Sequence, residues 1–306
     1  MKAEANDALI VATDPHDAKA AEEAVLDHET VAQDASVVEA EEAADASADR
    51  VVEEIEATVA AEAAASARTG DRKNVGLRVK PHPVFKEIYN IVLEDGAKRL
   101  GTKNLTPGRN VYGERLVKWK GVEYRVWDAF RSKLAGAIIK GLQTVPIEVS
   151  SKVLYLGAAS GTTPSHISDM VGETGYVYCI EFAQRSLRDL VNNVAQFRSN
   201  ISPMLEDARM PERYAMFISG KVDVIYCDVA QPEQAKLLAD NADAFLKPQG
   251  WVMLACKSQS IDVTMAPQEV YQQEARILRK RGYEVKEIVE LDPYDKAHAM
   301  IIAQKI

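Results

Sequence analysis

Only three cysteines occur in the 306 residues, Cys179, Cys227 and Cys256, far apart and without C-x-x-C spacing. That scarcity argues against a disulfide framework and against a thiolate metal site. Each cysteine falls near the end of an apolar run, where a small buried residue fits. No apolar run is long enough for a membrane span or a signal sequence, which predicts a cytosolic protein. The G-x-G-x-x-G fingerprint of dinucleotide binding is missing as well. Aromatics are absent from residues 1–72, and 22 of those 72 are Ala. Such a segment buries too little apolar surface to offset its ordering entropy, so a disordered arm or a fraying helix is expected. Val51, Val52, Ile55 and Val59 form a weak helical stripe that would suit docking on a partner. A mitochondrial transit peptide would be Arg-rich and poor in acids, so that reading fails.

The net charge of −9 averages two unlike parts. Residues 1–72 hold 19 Asp and Glu against 5 Lys and Arg, whereas residues 73–306 hold 27 against 32. A mildly basic body thus carries an acidic extension, and the body suits an anionic partner such as RNA. Three segments are expected: the acidic, Ala-rich extension 1–72, a small β-rich domain 73–130 and an α/β domain 131–306. In the second segment Glu94-Asp-Gly96 and Lys120-Gly121 signal turns between alternating runs such as 85–92 and 116–119. Lys80, Lys86, Lys98, Arg99, Lys103, Arg109, Arg115, Lys118 and Lys120 are dense there, with Tyr112, Trp119 and Tyr124 among them. Basic and aromatic residues so mixed suit an RNA surface, although a plain solvated sheet face reads much the same.

From Ser132 the pattern changes to alternating helix and strand. A helix is predicted from Ser132, as N-cap, to Gln143. Strands are predicted at 152–156, 176–181, 201–205, 222–227, 250–256, 284–290 and 298–304. Only Leu291-Asp-Pro-Tyr-Asp-Lys-Ala separates the last two, which allows an antiparallel pair and no helical crossover. Seven strands with the last reversed give an α/β, Rossmann-like fold of the kind found in S-adenosylmethionine-dependent methyltransferases.

The run Val153-Leu-Tyr-Leu-Gly157-Ala-Ala-Ser-Gly161-Thr162-Thr163 reads as a buried strand, a tight turn and a helix start. Its turn lets backbone approach a ligand, and a helix N-terminus offers unpaired N–H groups. Ala159 stands where a dinucleotide turn would have glycine, so a single nucleoside bearing a compact group fits better; S-adenosylmethionine is one. The next strand ends in Glu181-Phe182, placing a carboxylate for ribose hydroxyls. Another tip, Glu206-Asp207-Ala208, offers a carboxylate to the exocyclic amine of adenine. Asp228, followed by Val229-Ala230-Gln231-Pro232, caps the fourth strand, and Lys257 ends the fifth. A lysine after so apolar a strand must reach water or an anion. Paired with Asp228 it suggests a proton acceptor, since neighbouring positive charge or desolvation lowers a lysine's pKa.

The stretches Asn110-Val-Tyr-Gly-Glu-Arg, Glu123-Tyr-Arg-Val-Trp, Arg131-Ser-Lys-Leu-Ala, Leu154 to Thr163, Asp228-Val-Ala-Gln-Pro and Lys257-Ser-Gln-Ser-Ile-Asp-Val-Thr264 closely resemble fibrillarin, in particular the archaeal fibrillarin-like rRNA/tRNA 2′-O-methyltransferases. The resemblance covers 74–306. It implies an S-adenosylmethionine pocket at Gly157, Ala159, Gly161, Thr162, Thr163, Glu181, Phe182, Asp207, Ala208, Asp228, Val229, Ala230 and Gln231. It implies a catalytic tetrad of Lys133, Asp228, Lys257 and His298, with no metal required. Expected partners are a box C/D guide RNA with its target RNA, a Nop-domain scaffold protein and a kink-turn-binding ribosomal-type protein. Two departures stand out. Family members usually carry an acid just before the histidine, where this chain has Ala297, so the imidazole tautomer is expected to be less securely fixed. The acidic arm is opposite in charge to the glycine/arginine-rich arm of eukaryotic fibrillarins, which favours an archaeal-type protein over a nucleolar one. A ribonucleoprotein subunit without turnover and a protein side-chain methyltransferase are the alternatives.

Overall fold

The computed structural model describes residues 76–306. The acidic extension, its stripe at 51–59 included, lies outside the described residues. The first five strands, β1 (Arg78–Pro81), β2 (Ile88–Val92), β3 (Lys98–Lys103), β4 (Leu116–Trp119) and β5 (Val122–Trp127), form an antiparallel sheet ordered β1-β2-β3-β5-β4. Of the alternating run at 85–92, only Ile88–Val92 is strand; the backbone at 83–87 turns, with His82 Nδ1 accepting from the Val84 and Phe85 N–H groups. The expected exposed aromatics are largely turned inward. Tyr124 is buried, and the Tyr112 hydroxyl sits against the buried His166. They belong to packing because each has found an interior partner, which leaves the basic side chains without an aromatic platform from these two residues.

After α1 (Lys133–Ile139), seven strands alternate with helices: β6 (Lys152–Leu156), α2 (Thr162–Val171), β7 (Tyr176–Glu181), α3 (Gln184–Asn193), β8 (Ile201–Leu205), α4 (Pro211–Tyr214), β9 (Val222–Cys227), α5 (Gln234–Phe245), β10 (Leu246–Lys257), α6 (Ser258–Ile261), α7 (Pro267–Lys280), β11 (Tyr283–Glu290) and β12 (His298–Lys305). Their order in the sheet is β11-β12-β10-β9-β6-β7-β8, with β12 antiparallel to both neighbours and the other pairings parallel. This is the expected Rossmann-like α/β fold with its reversed last strand. The helix predicted from Ser132 to Gln143 is shorter. Ser132 caps it, accepting from the Ala135 N–H, but it ends at Ile139 because Gly141 turns the chain at φ +99°. The Gln143 N–H instead donates to Glu287 Oε2.

Strand side chains alternate between two cores. Val153, Tyr155, Val224 and Tyr226 face a core shared with Leu134, Ile138, Trp127 and Leu100. Leu154, Leu156, Ile225 and Cys227 face a second core with Leu238, Val270 and Leu278. Burial on both faces explains why these strands read as unbroken apolar runs. All three cysteines are free and buried. No helix among the described residues is long and apolar enough to cross a membrane.

A buried ionic network joins the five-stranded sheet to α2. The Arg125 guanidinium donates to Glu114 Oε1 at 2.6 Å, Asp169 Oδ2 at 2.9 Å and Ser165 Oγ at 2.9 Å. Arg198 donates to Asp169 Oδ1 at 2.6 Å. Two cations and two carboxylates balance, so their buried partner His166 must stay neutral. Thr102 gives its hydroxyl proton to Asp169, so its oxygen accepts from His166 Nδ1–H at 2.8 Å, and Tyr112 donates to Nε2 at 2.8 Å. Burial first, then Arg125 and Arg198, hold the His166 pKa well below the usual imidazole range. An unfolded histidine takes a proton near pH 6.5, so the unfolded chain binds more protons on acidification. Stability should therefore fall below about pH 6.5, by up to about 1.4 kcal/mol per pH unit from this one group. Denaturant midpoints measured from pH 7 to pH 5 should decline more steeply for the native protein than for His166→Gln. Parallel lines would refute that account.

Candidate active site

In an open α/β sheet ligands gather at the carboxyl ends of the strands. Here β12 starts where β10 ends, because the two run antiparallel. Lys257 is the register partner of His298, so their side chains share a face. Asp228 directly follows β9, the neighbour of β10, and its N–H still donates to Leu156 O of β6. Lys133 opens α1. Three adjacent strand ends and one helix start thus meet.

At their meeting point a single carboxylate serves two ammonium groups. Lys133 Nζ lies 3.1 Å from Asp228 Oδ1 and donates to Oδ2 at 3.4 Å. Lys257 Nζ lies 3.3 Å from the same Oδ1. Neither approach to Oδ1 is aligned as a hydrogen bond, so that buried oxygen is held by charge and keeps its capacity for a donor. Burial disfavours charge on Asp228, but Lys133 and Lys257 outweigh it and lower its pKa. Burial likewise opposes the charge of Lys133, and Asp228 with Asp295 more than restores it, leaving its pKa raised. Both lysine side chains remain 19% exposed, so the ammonium groups stay within reach of a ligand.

His298 joins this group through a residue that sequence reasoning passed over. Asp295 Oδ1 lies 2.8 Å from His298 Nδ1, and its Oδ2 lies 3.5 Å from Lys133 Nζ. Where Ala297 supplies no acid next to the histidine, Asp295, two positions earlier, faces the ring. Its only sequence signal was a carboxylate three residues before the histidine, inside a link with no regular period.

The turn after β6 packs against this centre. Gly157 adopts φ +78°, and a Cβ there would lie 2.8 Å from the Asp228 carbonyl oxygen. Gly161, at φ +95°, leads into α2, which no side chain caps. Its own Cβ would meet the Leu190 and Val194 side chains. Ala159, at φ +45°, donates its N–H to Glu181 Oε2 at 2.7 Å, while Glu181 Oε1 accepts from the Ala183 N–H at 2.8 Å. Glu181 thus ties the turn to β7 and keeps lone pairs for hydroxyl donors. Burial raises its pKa against the opposing N–H bonds. Phe182 beside it is 55% exposed, an open ring face at the rim.

Other positions are less available than the sequence suggested. Asp207 is occupied by Arg209, whose N–H and guanidinium donate to it. Burial opposes charge on Asp207, yet those bonds lower its pKa. The Ala208 side chain is buried and its carbonyl accepts from Asn241. Thr163 is buried against the Ser132 hydroxyl at 2.9 Å, whereas Thr162 is half-buried. Val229 packs on the second core, and Gln231, beyond the exposed Ala230, is half-buried.

The uncapped ten-residue helix, the lone pairs of Glu181 and the open Phe182 ring suit a nucleoside with a charged tail. The Fibrillarin family model matches residues 79–306. The chain belongs to the fibrillarin family. A fibrillarin-like rRNA/tRNA 2′-O-methyltransferase from Pyrobaculum calidifontis is 58% identical over 75% of this chain and 98% of its own length. One from Sulfolobus acidocaldarius is 55% identical over 72% and 94%. Aeropyrum pernix fibrillarin, crystallised with natively bound S-adenosyl-L-methionine, is 50% identical with a TM-score of 0.70, covering 75% of this chain and 99% of that one. A fibrillarin from a fibrillarin/Nop5p complex is 36% identical with a TM-score of 0.65, over 74% of this chain and all of its own.

Two fibrillarin-family glycines permit a direct comparison. In Gly157→Ala the new methyl meets backbone, so Asp228 must move; in Gly161→Ala it meets the ends of flexible side chains. With positive φ costing about 1–2 kcal/mol and overpacking about 1–3 kcal/mol, Gly157→Ala should lose about 2–5 kcal/mol. Urea unfolding should show Gly161→Ala losing less. The reverse order would refute this account of the turn.

Proposed function

We propose that this chain is an S-adenosylmethionine-dependent RNA ribose 2′-O-methyltransferase acting on rRNA and tRNA within a box C/D guide ribonucleoprotein. One observation carries the reading: in a member of the fibrillarin family, a single carboxylate, Asp228, contacts two lysine ammonium groups beside the Gly157–Thr163 turn. The names of the methyltransferase relatives and the cofactor-bound fibrillarin support it.

Gly157, Ala159 and Gly161 let the backbone come close to the cofactor, with Thr162 and Thr163 presenting helix N–H groups to its anionic tail. Glu181 takes ribose hydroxyls and Phe182 offers its ring to the base. Asp207, Ala208 and Asp228 through Val229, Ala230 and Gln231 border the remaining edge. When bound, S-adenosylmethionine supplies a methyl carbon on a sulfonium, whose loss as a neutral thioether needs no proton.

The protein must therefore align the 2′-hydroxyl and manage its proton. As an ammonium Lys257 Nζ orients the hydroxyl by donating to its oxygen, and once its own proton has passed to solvent the free amine accepts the hydroxyl proton, with Asp228 keeping the group in place. Lys133, held charged by its carboxylates, stabilises negative charge growing on the 2′-oxygen. His298 completes the hydrogen-bond set. The body's modest excess of bases gives little means of choosing a nucleotide, so selection belongs to partners: a guide RNA pairing with target RNA, a Nop-domain scaffold and a kink-turn-binding protein. The Nop5p complex of a relative supports the scaffold. An archaeal-type, cytoplasmic setting accompanies this reading.

The test is reconstitution of the full chain with guide RNA, scaffold and kink-turn protein, using tritiated cofactor. Label should enter target ribose and not a protein amide. Lys257→Met should lower methyl transfer by at least about a hundredfold, the usual scale for losing a positioned proton acceptor. Its cofactor affinity by isothermal titration should match the native protein. Unchanged turnover in that variant would defeat the assignment of Lys257.

A further inference from the structure

We propose that Asp295 is a fifth member of this centre, a positioning carboxylate that fixes the tautomer of His298 while acting as second counter-ion to Lys133. The inference rests on the functional reading above for its consequence in turnover, but its geometry stands independently.

His298 Nδ1 is flanked by Asp295 Oδ1 at 2.8 Å and by the Lys296 carbonyl oxygen at 2.7 Å. Both are acceptors. The proton of a neutral ring therefore sits on Nδ1, and Nε2 keeps the lone pair. The carboxylate is charged: burial opposes its ionisation, but the His298 bond and Lys133 outweigh that and lower its pKa. The Nδ1–H is aligned on the Lys296 carbonyl oxygen, and the Asp295 carboxylate beside it adds the negative charge that favours a proton on that nitrogen.

The fold delivers Asp295 to this place. Leu291 N–H donates to His298 O, and Tyr294 N–H donates to Leu291 O, closing the link between β11 and β12. Tyr294 lies on Gly136 of α1, where a Cβ would stand 3.2 Å from the tyrosine Cβ. Lys133 is one helical turn before Gly136 on the same face, so a link seated on Gly136 brings the next residue, Asp295, to the Lys133 ammonium. Further charged and titratable groups bear on Asp295: Asp228 and Tyr226 from β9 and Tyr271 from α7, with Lys257 of β10 facing His298 across the strand pair. Asp295 is the only one of these within ion-pair distance of both Lys133 and His298.

The test uses the full chain with 15N-labelled histidine, the 298 resonance being assigned by its loss in His298→Gln. At a pH where the ring is neutral, the native protein and Asp295→Glu should show the Nδ1–H form. Asp295→Ala should shift part of the population to Nε2–H, because only the neutral Lys296 carbonyl remains. In the reconstituted particle Asp295→Ala should lower kcat by about 10–100-fold, the scale for losing the partner of a functional imidazole. Cofactor affinity should stay unchanged, and Asp295→Glu should recover most of the loss. A native-like tautomer in Asp295→Ala overturns the assignment whatever turnover does. A changed tautomer with undiminished kcat overturns the positioning role. Absence of methyl transfer by the native particle would instead sink the functional reading, and the tautomer result, taken without cofactor or RNA, would remain.

Discussion

Everything at the functional end of this molecule depends on one carboxylate being shared by two ammonium groups. A buried Asp228 alone would be costly to ionise, and two half-buried lysines without it would repel each other. Together they form a charged cluster that stays accessible. Lys133 would still leave an excess of positive charge, and Asp295 offsets it from the far side. The result is a row of alternating charge, Lys257, Asp228, Lys133 and Asp295, that ends against the His298 imidazole.

A second ionic assembly performs a different task. Arg125, Asp169, Arg198 and Glu114 lie beneath the surface and are hydrogen-bonded to one another or to Ser165 and Ser168, with a neutral histidine wedged among them. They lock α2 to the five-stranded sheet, and α2 begins at the turn that faces Asp228. The small sheet therefore supports the site from behind. Gly157 links the two assemblies, since its missing side chain allows the turn to rest on the Asp228 peptide.

Much of this was legible in the text. The β-branched runs of β6, β7 and β9 are buried on both faces, so their composition alone marked them as interior parallel strands. The short link after β11 forced the last strand to reverse. A polar residue directly after such a strand can only be at its tip, which is how Asp228 and Lys257 were visible. Tyr112 and Tyr124 misled because an aromatic among lysines reads the same whether it faces solvent or turns inward. Arg125 and His166 were invisible as partners, being separated by a strand, a helix and a turn. Asp207 looked free because its competitor, Arg209, is an ordinary surface arginine in sequence.

The sequence by itself determined the element order, the reversed strand and the residue types at each strand tip, because periodicity and turn chemistry are local. It also carried the family likeness. Tertiary structure alone decided which ionisable groups neutralise one another, since Coulomb and hydrogen-bond contacts act between residues that only folding brings within a few ångströms. That is why Asp295, unremarked in an irregular link, emerged beside Lys133 and His298, and why Asp207 did not remain free.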